Sequence, residues 1–278
     1  MPELVPVILS PLVDFVFKRL FGDPAYISHL IAFLQSVLTL PADEYEEVTL
    51  QDTHINRRFK EDKMCALDVR IKTRSGRTVN VEVQVGTVAG MWDRMEFYAA
   101  RLVSEEVGKG GKYKGMPQVI TVTILTERLV PTDELYHHRF RLYDPDAGVG
   151  FPNSMEMHTL ELSKLPLASD GSSLWWWLRF LASVTPEDFA AVKERGPDMA
   201  EIVVRLEELS ASKKMRRLAD AREKARRDQA AREQYARDEG RAEGARNMLK
   251  AKMPVADVVK FSGLSEADVK RLAAAENL

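Results

Sequence analysis

Between Cys65 and Val85 apolar and polar residues alternate almost without interruption, and this stretch limits most narrowly what the chain can fold into. Successive side chains of a strand point to opposite faces. Leu67, Val69 and Ile71 therefore share one face of a first strand, with Ala66, Asp68 and Arg70 on the other. In a second strand Val79, Val81, Val83 and Val85 share a face, and Asn80, Glu82 and Gln84 lie opposite. The connection sets the register. A two-residue turn at Ser75-Gly76 places Asp68 across from Val83 and mixes polar with apolar residues on both faces. A three-residue loop, Arg74-Ser75-Gly76, has glycine where a type I turn with a bulge needs a left-handed residue. It pairs Thr73 with Arg77 and Asp68 with Glu82, and it sorts the aliphatic residues onto a single face. The three-residue loop is expected.

That register sets two carboxylates opposite each other with β-carbons roughly 5 Å apart. Like charges at this spacing make sense around a cation. Oxygen donors select a hard ion such as Mg²⁺, with Mn²⁺ as the expected substitute. Gln84 shares their face. Two acidic groups holding a metal, with water and phosphate completing its shell, suit phosphodiester hydrolysis. The alternative is a solvated hairpin face on which Asp68 pairs with Arg70 or a nearby lysine.

The surroundings read as α/β. Ser10-Pro11 marks a helix start, with serine as cap and proline in the first turn, and that helix runs to Gly22. A second helical pattern spans Tyr26 to Leu38, and Val48 and Leu50 begin a strand. Gly86 to Val107 reads as a helix and Gln118 to Leu125 as a buried strand. Phe140 to Tyr143 and Met155 to Leu162 are weaker strand candidates. Leu174 to Val184 is an apolar helix, Asp198 to about Leu249 a long charged one, and Val255 to Phe261 with Ser265 to Ala275 a terminal helical pair. On the helix after the hairpin, Arg94, Tyr98 and Arg101 form one stripe, while Trp92, Met95, Ala99, Leu102 and Val103 should face the core.

Several of these pieces occur together: Leu12-Val13-Asp14-Phe15-Val16-Phe17-Lys18-Arg19-Leu20-Phe21-Gly22, then Asp62-Lys63 ahead of Leu67-Asp68-Val69, then Val81-Glu82-Val83-Gln84, then Arg94 and Tyr98. This combination, over about Ser10 to Leu125, resembles the PD-(D/E)XK nuclease family transposases, also called recombination-promoting nucleases. The likeness extends to Gly240-Arg241-Ala242-Glu243-Gly244-Ala245-Arg246 and Gly263-Leu264-Ser265 in the tail. The resemblance implies a restriction-endonuclease-like α/β core with a mixed central sheet, followed by a long helical arm. It implies a metal-dependent DNA endonuclease in which Asp68 and Glu82 bind Mg²⁺, the Val83 carbonyl adds a ligand and Gln84 positions the attacking water. Asp14 matches a recurring acidic position, and Arg94 and Tyr98 would hold phosphate. The chain departs from the family name at Gln84, where a lysine would carry charge. Lys63 precedes Asp68 by an odd number of residues and faces the wrong side of a regular strand. The runner-up reading is a weak or inactive nuclease scaffold that binds DNA or protein.

Composition limits the partners. Forty Lys+Arg against 42 Asp+Glu leave a formal charge of −2, so the whole chain is no polycation. The charge is uneven, however: 205–250 carries a net +5, and Lys213 to Arg227 holds eight basic and two acidic residues. Lys213, Lys214, Arg216 and Arg217 are the expected phosphate contacts of this arm, with Lys112 in the Gly/Lys loop at 108–115. The arm reads equally well as a solvated or dimerising helix, so a second copy joined through the C-terminal helices is a further expected partner. The terminal pair carries Glu266 and Asp268 beside Lys270 and Arg271, a mixed charge poorly suited to a major groove, and reads as a packing or oligomerisation hairpin. Cys65, the single cysteine, excludes a disulfide framework and points to a reducing, cytoplasmic setting. No signal peptide or membrane partner is expected, since Ile27 to Leu40 is too short and too interrupted to span a bilayer. His137 and His138 are adjacent on a strand and cannot chelate one ion, and Trp175, Trp176 and Trp177 cannot all be buried by one helix face. The expected divisions are 1–165 for the nuclease-like core, 166–198 for a helical extension, 199–250 for the basic arm and 251–278 for the terminal hairpin.

Overall fold

The computed structural model describes residues 8–52, 54–55, 65–66, 68–86, 89–107, 115–151 and 155–275. Lys63, Leu67 and Lys112 lie outside the described residues, as does most of the 108–115 loop. These residues form two compact units, Met1–Lys213 and Lys214–Leu278.

The first unit opens with α1 (Asp14–Phe21) and α2 (Ile27–Val37), followed by the short strands β1 (Thr49–Leu50), β2 (His54–Ile55) and β3 (Cys65–Ala66). The hairpin comprises β4 (Val69–Lys72) and β5 (Thr78–Gln84). Next come α3 (Met91–Val107), β6 (Val119–Leu125), β7 (His137–Arg141), β8 (Tyr143–Asp144), β9 (Val149–Gly150) and β10 (Glu156–Glu161). Three helices follow: α4 (Ser173–Ala182), α5 (Pro186–Lys193) and α6 (Pro197–Ala211). The second unit is built from α7 (Lys213–Lys250), α8 (Val255–Ser262) and α9 (Glu266–Ala275).

The central sheet runs β1-β4-β5-β6-β10-β7 and is mixed, as expected. β4 is antiparallel to β5, β6 is parallel to both β5 and β10, and β7 returns antiparallel along β10. Register aligns the two faces across the strands. Val69, Ile71, Val79, Val81, Ile120, Val122, Ile124 and Leu160 are buried on one side. The other side carries Asn80, Glu82, Thr121, Thr123 and Thr159, and α3 lies against it through Met91 and Met95, packed with Leu125, Leu129 and Met157. Elsewhere in the core Phe21, Phe33 and Trp177 meet with ring centroids about 6 Å apart, joining α1, α2 and α4.

The structure moves several boundaries. α1 begins at Asp14 rather than after Ser10, because Ser10 first closes a turn, with Val13 N–H donating to its carbonyl at 3.3 Å. α3 begins at Met91, since Gly86 and Gly90 adopt positive φ in the turn before it. The long charged helix is two helices. Ser210 is buried, its hydroxyl donating to Leu206 O at 2.6 Å and accepting from Leu9 N–H at 2.9 Å, and Ser212 then turns extended. α5 was not anticipated, although Thr185-Pro186 with Asp188 forms a complete capping box at its start. Trp92 is 47% exposed rather than core-facing and meets Phe140 edge-on. Of the tryptophans, Trp175 and Trp177 are buried, while Trp176 packs under the Arg195 guanidinium. His137 and His138 do diverge: His137 meets His158 at 2.8 Å, and His138 meets Asp133 at 3.1 Å.

In the second unit Ala245, Leu249, Val258 and Val269 form a small core in which α8 and α9 close on the end of α7. Gly263 links them in a left-handed conformation with φ 68°. Upstream of this core the described side chains of α7 are mostly exposed. Among the described residues no helix is long and apolar enough to cross a membrane.

Candidate active site

The hairpin adopts the three-residue loop. Thr73 N–H donates to Arg77 O at 3.0 Å, Gly76 N–H donates to Thr73 O at 2.8 Å, and Gly76 has φ +86°. Val69 then pairs with Val81 and Ile71 with Val79, the register that carries Asp68 toward Glu82. Glu44 pins the turn, accepting from Ser75 Oγ at 2.8 Å and also from Thr73 and Arg77. Burial pushes its carboxyl up, but these hydrogen bonds prevail and hold it at about 2.

Asp68 sits at a bend just before β4, and its carboxylate accepts from the Val83 N–H at 2.7 Å. Lys18 of α1 stands 3.6 Å away. Glu82 and Gln84 project from the end of β5, both bound by Arg94 of α3: its guanidinium donates to Gln84 Oε1 at 2.9 Å and pairs closely with Glu82. Arg94 also lies 5.2 Å from the centre of the Tyr98 ring. One turn of α1 carries Asp14 and Lys18, four residues apart, on one helix face. Asp14, Asp68, Glu82, Gln84, Arg94 and Tyr98 are therefore all set by three neighbouring elements. Val83 enters through its N–H. Lys213, Lys214, Arg216 and Arg217 are exposed at the start of α7.

Burial dominates the electrostatics. It pushes Glu82 up to about 7, with Arg94 opposing the shift and the charge of Asp68 adding to it. It also raises Asp68, against the Val83 amide and Lys18, while Asp14 adds repulsion. A buried and a half-buried carboxylate that both resist ionisation, each attended by a cation, suit a small hard divalent cation, which would remove the repulsion and accept the same oxygens. Among the described residues no group of three or more His, Cys, Asp or Glu is placed to hold a metal. The side-chain oxygens gathered here belong to two carboxylates and the Gln84 amide, all of them hard donors.

Lys18 is the residue that sequence reasoning missed. No local pattern signalled it, since it meets Asp68 only through the packing of α1.

Comparison with known proteins decides the family. The model of the PD-(D/E)XK nuclease family transposases matches residues 11–236. The chain belongs to this family. The match takes in the hairpin, α3 and the whole sheet, and it runs well into α7, beyond the 10–125 stretch that carries the motif residues. No curated protein and no solved structure matches the chain. The α/β architecture with its mixed central sheet and long C-terminal helices is that of a PD-(D/E)XK nuclease.

Proposed function

We propose that this nuclease-family chain is a Mg²⁺-dependent DNA endonuclease of the recombination-promoting type, acting from the end of the β4–β5 hairpin. One observation carries the reading: the hairpin register and the Asp68–Val83 hydrogen bond bring Asp68 beside Glu82, with a cationic side chain at each carboxylate. Asp68, Glu82 and the Val83 carbonyl would hold the ion, with Gln84 beside them. A bound divalent cation supplies Lewis acidity there, polarising phosphate and acidifying water.

The chain's own groups do the rest. The Val83 N–H and Lys18 fix the direction of the Asp68 carboxylate. Gln84 offers an amide that can orient a water in line with the scissile bond, without the charge of a lysine. Arg94, beside Glu82 and Gln84, carries a planar guanidinium that would suit a phosphate's paired oxygens. Tyr98 gives that guanidinium a ring to rest on. Asp14 bounds the site from α1. The basic start of α7 would add sequence-independent phosphate contacts, and Mn²⁺ should replace Mg²⁺.

The test is cleavage of supercoiled plasmid with Mg²⁺, Mn²⁺ or EDTA. Nicking that needs the metal and is lost in Asp68→Ala and Glu82→Ala, with folding intact, is the expected result. The neutral Gln84 and the engagement of Arg94 with Glu82 favour one other reading, a weak or inactive scaffold that binds DNA or protein. Wild-type protein that retains DNA in EDTA and never nicks it would establish that reading instead.

A further inference from the structure

Phosphodiester hydrolysis builds negative charge on a phosphate that, in this site, already faces two carboxylates. Gln84 brings no opposing charge. Lys18 and Arg94 stand at the carboxylates, and their situations differ. Arg94 is engaged three ways, with Glu82, with Gln84 and with the Tyr98 ring. Lys18 Nζ lies 3.6 Å from Asp68 Oδ1, and although its side chain is no more exposed than that of Arg94, it makes no comparably close contact with the carboxylate. A close charge-assisted hydrogen bond would be about 2.7–2.9 Å. The ammonium is thus kept at the site without being locked onto the carboxylate.

Its position is built by the fold. α1 ends at Gly22, where a Cβ would lie 2.9 Å from Lys18 O and 3.3 Å from Val69 Cγ2. The bare glycine lets the last turn of α1 seat against the first residue of β4, next to Asp68. Asp14 sits one turn before Lys18 on the same face of α1.

We propose that Lys18 supplies a second positive charge to the reaction beside Arg94, delivering from α1 the ammonium that position 84 lacks. The inference rests on the nuclease reading of the site. Lys18 neither gives nor takes a proton. Its N–H donors and charge meet the phosphate oxygens as negative charge accumulates on them.

Full-length wild type, Lys18→Gln, Lys18→Arg and Asp68→Asn are compared in Mg²⁺-dependent plasmid nicking. Mn²⁺ affinity is measured separately by titration calorimetry. Lys18→Gln should nick about 10²-fold slower while binding Mn²⁺ within about threefold of wild type, the scale of removing one transition-state donor. Lys18→Arg, which keeps the charge, should recover at least about tenfold of that loss. Three results overturn the proposal: Lys18→Gln nicking at the wild-type rate, Lys18→Arg as slow as Lys18→Gln, or a rate loss matched by an equal loss of Mn²⁺ affinity. If wild type does not nick, or Asp68→Asn nicks normally, the nuclease reading fails and the proposal falls with it. A site silenced by Asp68→Asn but indifferent to Lys18→Gln confines the failure to Lys18.

Discussion

Glu82 is placed at a cost. Its carboxyl is buried and pushed up to about 7, so without a metal the folded chain holds a proton there that the unfolded chain, at about 4.5, gives up. Between those values the folded state binds more protons, and stability falls as pH rises through that window. The full effect is on the order of a few kcal/mol. Asp68, also raised by burial, acts in the same direction. In EDTA, thermal unfolding of wild type should therefore show decreasing stability from about pH 5 to pH 7 relative to Glu82→Gln, which cannot ionise. Parallel pH profiles for the two proteins would show that Glu82 is not strained by its burial. Arg94 opposes the shift, so Arg94→Gln should steepen the wild-type slope.

Among the elements, the contact between α1 and β4 is the one that places Lys18 beside Asp68. Gly22→Ala would force its Cβ into Lys18 O and Val69 Cγ2. It should cost about 1–3 kcal/mol in denaturant unfolding and slow nicking by carrying Lys18 away from Asp68. Unchanged stability would mean that α1 yields without loss. This same contact explains what could be read in advance. The Asp68–Glu82 pairing was legible because a hairpin is local: a glycine in the loop and alternating side chains determine it together. Lys18 was not, because its partner Asp68 lies far along the chain and no short-range pattern announces a contact made only when α1 packs. Ser212 escaped notice for a related reason. The helical periodicity continues through it, and the break falls beside Ser210, whose hydroxyl accepts from the sequence-distant Leu9 N–H. α5 was legible in principle, from Thr185-Pro186 and Asp188, but it is short and its apolar pattern weak.

For the whole molecule, the uneven charge is the property most open to measurement. The basic run opening α7 should contribute phosphate contacts whose effect disappears in salt. Replacing Lys213, Lys214, Arg216 and Arg217 by glutamine should lower the slope of log affinity against log salt by about 3 to 4 on duplex DNA. Nicking at low salt should persist, since these residues are remote in sequence from the hairpin. An unchanged slope would assign the run to another partner. The ends of the central sheet bear on how copies of the molecule coexist. β1, at one end, is only two residues long. β7, at the other, carries Arg139, bonded to Thr39, and Arg141, paired with Glu156. A short end and a charged end make poor templates for strand addition. Concentrated solutions of the folded protein should accordingly resist cross-β growth, even though the neighbouring β8–β9 hairpin exposes Leu142, Tyr143, Val149 and Phe151.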